Sequence, residues 1–263
     1  MGSATTQALA ATTTALDAAT GVDLDVAREL FAAARVLGES SQLSGALSDA
    51  AASTEAREKV VTDVFGAAFR PASVAVLTAA ARQRWSSSSD LVSGIEEVAI
   101  RATAIAAPQV DLDAELFGVA RTVAANPELE LALGRHLGDA SAKGTLIERL
   151  LDGRASAATT LIVSSLVQQT RGRRVRALLT RAQRLVSDQR GRAVATVVSA
   201  APLSDAQITR LQASLAQRYG TEVALNVVVD PQVVGGVRVE IGDDVIDATV
   251  SSRLNDLRQR LAG

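Results

Sequence analysis

Cysteine is absent from this chain of 263 residues, and histidine occurs once, at position 136. Without thiols there are no disulfides, no thiolate nucleophile and no Cys-based metal site. A single imidazole excludes a His-rich metal site and a pair of His acid/base groups. Aromatic residues are only 2%, too few for a platform on which nucleic-acid bases stack. Lysine stands only at 59 and 143, so nearly every cation is Arg, and the formal net charge is −2. A balance so close to neutral gives no whole-chain field for DNA or acidic lipid. Long apolar runs are missing too. The stretches 1–16 and 155–170 are uncharged but rich in Thr, Ser or Gln, and fall short of the ~20 apolar residues of a spanning helix. No basic segment precedes an apolar core at the N-terminus, so a signal peptide is not expected and an intracellular protein is.

What is present is a duplication. Val22-Asp-Leu-Asp25 recurs as Val110-Asp-Leu-Asp113, and Glu29-Leu30-Phe31 recurs as Glu115-Leu116-Phe117. Leu43, Ala46 and Leu47 match Leu129, Ala132 and Leu133, while Val60-Val61 and Val64-Phe65 match Leu146-Ile147 and Leu150-Leu151. From Glu29 onward the offset is a constant 86 residues; at the Val-Asp-Leu-Asp segments it is 88. Ordered matches at one offset outrun chance even in an Ala-rich chain. Both copies carry helical periodicity with Asp-led starts. Each is expected to hold roughly five helices joined by short loops, a small bundle. Pro71 suits a helix first turn, and the last helix of copy one should run from Leu91 to Ala106, stopped before Pro108. Residues 1–20 read as a loose helix weakened by Thr6 and Thr12 to Thr14.

At Arg192 the period changes. Val194, Thr196 and Val198 alternate with Ala195 and Val197, as in a strand. Ser204 to Gln207 is a capping box opening a helix with Ile208, Leu211 and Leu215, which Gly220 ends. Val223, Leu225, Val227 and Val229 alternate next, then Asp230-Pro231 breaks the strand. Gly235-Gly236 makes a turn, and Val237, Val239 and Ile241 form another strand. Asp247 is placed to cap a final helix with the stripe Val250, Leu254, Leu257 and Leu261. The expected fold class is mainly α with a C-terminal α+β module: two tandem helical bundles, 1–107 and 108–191, then a β-α-β-β-α domain over 192–263.

Candidate chemistry is thin. Gly138 to Thr145 resembles a phosphate loop only loosely, because Ala142 precedes Lys143 and Gly144 follows it; a capped helix start explains it better. Gly235-Gly236 lacks dinucleotide spacing. His136 beside Asp139 has no nucleophile placed by any motif. Asp243, Asp244 and Asp247 lack calcium-loop spacing, and a turn with a helix cap accounts for them. Trp85 and Tyr219 should bury their rings and bond their polar tips. Arg171 to Arg192 holds eight arginines against Asp188. With no interleaved aromatics, a solvated or protein-facing surface is favoured over the alternative of a basic nucleic-acid-binding face. No catalytic, cofactor-binding or metal residue emerges, and no cofactor is expected.

The C-terminal residues do carry a family pattern. Ala201-Pro202-Leu203-Ser204, Val229-Asp230-Pro231, Val234-Gly235-Gly236-Val237, Ile241-Gly242-Asp243, Val245-Ile246-Asp247 and Arg253-Leu254 together resemble the delta subunit of bacterial F-type ATP synthases, counterpart of the mitochondrial oligomycin-sensitivity-conferring protein. Ala248-Thr249 departs mildly from the Gly-Ser or Gly-Thr usual there. The helical half is similar to the family's six-helix bundle but is present twice, as in the longer actinobacterial forms. Copy two is one helix short, and the helix at Ala4 to Ala19 is the candidate to complete it. The resemblance implies a structural signature of Pro202, Asp230, Pro231, Gly235, Gly236, Gly242, Asp247, Arg253 and Leu254. It also implies a non-catalytic stator subunit, one copy per complex, peripheral on the cytoplasmic face of the bacterial plasma membrane. The implied partners are alpha subunits of the catalytic head, received by the first and fifth helices of a bundle, and the b subunits of the stalk. Nucleic acid and direct membrane insertion are not implied.

Overall fold

The computed structural model describes residues 2–134, 139–242 and 244–250. By its internal contacts the chain divides into two compact units, Met1–Val186 and Ser187–Gly263.

The first unit is helical. Copy one holds α1 (Ser3–Asp17), α2 (Leu24–Glu39), α3 (Ser41–Ser48), α4 (Thr54–Phe65), α5 (Pro71–Arg82) and α6 (Ser88–Ala106). Copy two holds α7 (Leu112–Ala125), α8 (Pro127–Gly134), α9 (Ala140–Leu151), α10 (Ala157–Gln168) and α11 (Val175–Gln189). Both ends of α3, α4 and α5 recur in α8, α9 and α10 at the 86-residue offset read from the sequence. The starts repeat as well. The Asp23 carboxylate caps α2 by accepting from the Asp25 and Val26 N–H groups, and Asp111 caps α7 by accepting from Ala114 N–H. Ser53 caps α4, and Asp139 caps α9 at the place where the loose phosphate-loop pattern lay. Such caps satisfy amide donors that the helix itself cannot.

One hydrophobic core runs through both copies, from Leu16, Leu30 and Leu37 through Leu91 and Ile100 to Leu116, Ile162, Leu166 and Leu179. The two expected bundles therefore share a core; they do not close two separate ones. Trp85 is buried, donates its indole N–H to the Ala80 carbonyl at 2.9 Å, and lies flush on α6. A Cβ at Gly94 would stand 2.3 Å from that ring, so the close approach needs glycine there.

The second unit holds β1 (Arg192–Ser199), α12 (Asp205–Tyr219), β2 (Glu222–Val229), β3 (Val237–Ile241) and β4 (Asp244–Asp247). The sheet order is β2-β1-β3-β4, with β1 and β2 parallel and the other pairs antiparallel. In register, Ala195 lies between Leu225 and Ile241, and Val197 between Val227 and Val239. These residues face Leu211, Leu215 and Ala216 of α12 in one core. The capping box of Ser204 and Gln207 is present, and Gly220 ends α12 in the left-handed region at φ 69°. Tyr219 is half-buried and donates its hydroxyl to Asp244 at 3.1 Å.

The fourth strand corrects the expected β-α-β-β-α order. Residues 244–247, taken for a turn and a helix cap, pair with β3 from Ile241↔Asp244 to Arg238↔Asp247. Only two residues separate Ile241 from Asp244, and Gly242, at φ 56°, supplies the positive dihedral such a tight hairpin requires. The final helix expected after Asp247 is described only as far as Val250; its remainder, His136 and Asp243 lie outside the described residues.

Candidate partner-docking surfaces

Asp230, Pro231, Gly235, Gly236 and Asp247 gather at one end of the sheet, with Pro202 in the loop that leaves β1 there. Asp230 donates its N–H to the Ser199 carbonyl at 2.8 Å, and its carboxylate accepts from Gln232 N–H at 2.9 Å. Ser199 donates its hydroxyl to the Ala201 carbonyl at 2.7 Å, fixing the loop that carries Pro202. Gly235 and Gly236 have φ of 65° and 80°. A Cβ at Gly236 would stand 2.3 Å from the Ala248 carbonyl oxygen and 2.9 Å from Thr249 Cα, so chain crossing and dihedral both demand glycine. Ala248 N–H bonds the Val237 carbonyl at 3.0 Å, and Val250 N–H bonds that of Gly235 at 3.2 Å.

Asp247 ends β4 and turns the chain at once. Its carboxylate accepts from the Thr249 hydroxyl at 2.7 Å and the Thr249 N–H at 2.9 Å. Those bonds, hydroxyl first, hold the carboxyl below its ordinary range. The departure from the family pattern lies at Ala248, while Thr249 keeps the hydroxyl the turn uses. Gly242 stands at the opposite end of the sheet, and Arg253 and Leu254 lie outside the described residues. Val229, Val234 and Val250 are exposed at the signature end, Val234 by 62%. Pro202, Asp230, Pro231, Gly235, Gly236 and Asp247 thus stand together at a hydrogen-bonded corner edged with valine.

In the helical unit two glutamates do the same task. Glu29 on α2 accepts from Arg70 N–H at 2.9 Å and from the Ser73 hydroxyl at 2.5 Å, tying α2 to the start of α5. Glu115 on α7 accepts from Ser156 N–H at 3.0 Å, from the Ser156 hydroxyl at 2.7 Å and from Thr159, tying α7 to the start of α10. Burial pushes the Glu115 carboxyl up, and the bonds from Thr159 and Ser156 outweigh it, leaving it below the usual carboxylate range. The sequence match of Glu29 with Glu115 hinted at this; the donors 41 residues further on did not announce themselves.

Copy two is completed by α6, not by α1 as expected. At the 88-residue offset of the copies' starts, α1 maps onto residues 91–105, the body of α6. α6 leads into α7 as α1 leads into α2, and it packs against α10 while also closing copy one against α2. Accordingly it is buried nearly all round, including Glu96 and Glu97, each 4% exposed. The reason is local: α1 packs chiefly against α5 and α6, whereas α6 is already continuous with copy two.

The buried glutamates explain the arginine run. Glu96 accepts from Arg171 at 2.7 Å and Arg173 at 2.9 Å, and Glu97 accepts from Arg181 at 2.8 Å and Arg101 at 3.0 Å. Arg171 is held at φ 49°, a dihedral costing a side-chained residue about 1–2 kcal/mol. Burial lowers its guanidinium's pKa; Glu96 acts the other way, and Arg173 adds to the lowering. Arg176 pairs with Glu130 and Arg192 with Glu222, both at 2.9 Å. At least five of the eight arginines are thus neutralised within the chain, and nothing favours a nucleic-acid face. Among the described residues no group of His, Asp and Glu could hold a metal, and no helix is long and apolar enough to cross a membrane.

Known proteins are similar to this chain in sequence. The family model "ATP synthase delta (OSCP) subunit" matches residues 98–261, beginning inside α6, where copy two acquires its first helix. The chain is 49% identical to an ATP synthase subunit delta of Leifsonia xyli, with both chains fully covered. It is 40% identical to that of Streptomyces avermitilis, over 98% of each. A chain in the Toxoplasma gondii mitochondrial ATP synthase hexamer is 20% identical and covers 64% of this chain and 97% of its own, at a TM-score of 0.39, too slight a likeness to add to the argument. A full-length match at such identity, a family-model match over most of the chain and the glycine-built corner lead to one conclusion: the chain belongs to the ATP synthase delta (OSCP) family, peripheral-stalk subunits of the F-type ATP synthase.

Proposed function

We propose that this chain is the non-catalytic link between the alpha subunits of the catalytic head and the b subunits of the stalk, one copy per complex, on the cytoplasmic face of the membrane. The head is received on the α1/α5 face of copy one, and the stalk on the valine-edged corner of the second unit. The division of labour rests on burial. α10, the fifth-helix counterpart in copy two, exposes no residue after Ala157, because α6 and α2 lie against it. α5 keeps Ala75 and Arg82 exposed, and α1 keeps Thr6, Gln7, Ala10 and Thr14. An incoming amphipathic helix needs accessible side chains of this kind on the helices that receive it. Of the two segments that could face alpha, Pro71 to Arg84 and Ala157 to Thr170, the first is the accessible one. For the stalk contact, Val229, Val234 and Val250 offer apolar area on a corner held by turns and β pairing.

The test is a pull-down from membranes with the intact chain. Alpha and b subunits should co-purify. Ala75→Arg should weaken retention of alpha at least tenfold while b remains bound and the melting temperature is unchanged. Crosslinks from alpha to copy two alone, with none to α1 or α5, would sink the assignment of faces.

A further inference from the structure

Asp152-Gly153 is the only aspartate–glycine step in the chain, and no asparagine precedes a glycine. It lies in the exposed turn between α9 and α10. Copy one makes the same turn between α4 and α5. There Ala68 and Phe69 donate their N–H groups to the Phe65 carbonyl at 3.2 and 2.9 Å. In copy two, 86 residues on, Arg154 and Ala155 donate theirs to the Leu151 carbonyl at 2.9 and 3.0 Å. What differs is the pair inside the turn: copy one has Gly66-Ala67, which carries no carboxyl group. In copy two neither the Asp152 carboxylate nor the Gly153 N–H has a hydrogen-bond partner among the described residues. Gly153, at φ 65°, has nothing within 4 Å of where a Cβ would stand, and no side chain of its own shields its nitrogen.

We propose that Asp152-Gly153 is a site of spontaneous isoaspartate formation, and that the altered chain is a substrate for a protein isoaspartyl methyltransferase. The Gly153 amide nitrogen gives up its proton and attacks the Asp152 side-chain carboxyl carbon. A C–N bond forms, one carboxyl oxygen leaves as water, and a five-membered succinimide results. Water then opens the ring. Attack at the main-chain carbonyl breaks that carbon's bond to nitrogen, so the chain runs through Cβ and Cγ and the former main-chain carboxyl hangs free. One water is lost and one regained, and no other co-reactant is needed. Ring closure requires rotation about the Asp152 Cα–C bond, now at ψ 125°, with the two bonds to the Leu151 carbonyl open. In an exposed turn that opening is a local event. The product adds a backbone carbon just before Ser156, which gives its N–H and hydroxyl to Glu115. The isoaspartyl link therefore draws Ser156 off Glu115 and loosens α7 from the start of α10.

The experiment ages the full chain for weeks at neutral pH and growth temperature. Methyl transfer from S-adenosylmethionine by a purified isoaspartyl methyltransferase reads the mark, and electron-transfer fragmentation of the labelled peptide places it. Label should build up at Asp152, and at least tenfold less at Asp49 and Asp139, exposed aspartates followed by alanine. Asp152→Glu, which would need a six-membered ring, should abolish it. Asp152→Asn, whose leaving group is ammonia, should reach the same succinimide at least tenfold faster. The aged chain should melt below the fresh one, and repeated treatment with the methyltransferase and S-adenosylmethionine should restore it. No label at Asp152, label spread evenly over the aspartates, or an Asp152→Asn chain no faster than the native one would overturn the site. An aged, labelled chain that melts like the fresh one would overturn the loosening at Glu115. The label is read in the native chain, so the outcome does not depend on either variant folding.

Discussion

Glu29 and Glu115, 86 residues apart, grip successive copies of one helix start: the first takes the Arg70 N–H and Ser73 hydroxyl, the second the Ser156 N–H and the Ser156 and Thr159 hydroxyls. The bond is half-buried and charge-assisted in both copies, which places it among the stronger side-chain ties.

Glu115→Gln is expected to cost about 1.5–3 kcal/mol, the range for losing hydrogen bonds to a charged acceptor. Its effect should depend on pH. The folded carboxyl titrates below its ordinary value, so its contribution is full above the unfolded pKa of about 4.3 and fades as pH falls through the lower folded value. Urea melts from neutral to acid should show the native chain losing its advantage over Glu115→Gln in that window. Parallel curves would contradict the role assigned to Glu115.

Glu96→Gln removes a charge that faces Arg171, Arg173 and, at 3.8 Å, Arg181. Breaking a buried network from one side leaves cations uncompensated, so a loss of about 3 kcal/mol is expected from the helical unit. A second change, Arg171→Gln, should return part of it, a coupling that a double-mutant cycle reads directly. Additive effects would mean that the two side chains do not act together.

Gly236→Val combines a positive φ with a collision against Ala248 and Thr249. Each effect costs about 1–3 kcal/mol, so the second unit should be strongly destabilised and stalk attachment lost. The helical unit should melt as before. Gly242→Asn, with an open surround and a residue that tolerates the left-handed region, should cost under about 1 kcal/mol. Equal effects of the two substitutions would refute the close-crossing argument.

Much of this architecture was legible in residue order. The repeat offset located copy two, the 3.6-residue period gave the helices, and alternation at Ala195 and Val197 marked the first strand. β4 escaped because four residues flanked by aspartates look like a turn until β3 pairs with them. The double role of α6 escaped because periodicity shows that a helix has an apolar face and not how many neighbours share it. The arginine run looked like surface because its acceptors, Glu96 and Glu97, lie some 75 residues upstream of Arg171. At the glycine corner local sequence told more, since positive dihedrals and Pro are written in residue identity; that Gly235-Gly236 crosses Ala248-Thr249 required the fold.

The shared α6 also bears on how such a chain can change over generations. A duplication that kept both bundles whole could be undone by excising either one. Here each copy counts α6 among its own helices, so a clean deletion of one copy takes a wall from the other. The enlargement is simple to acquire, needing only five new helices, and hard to reverse.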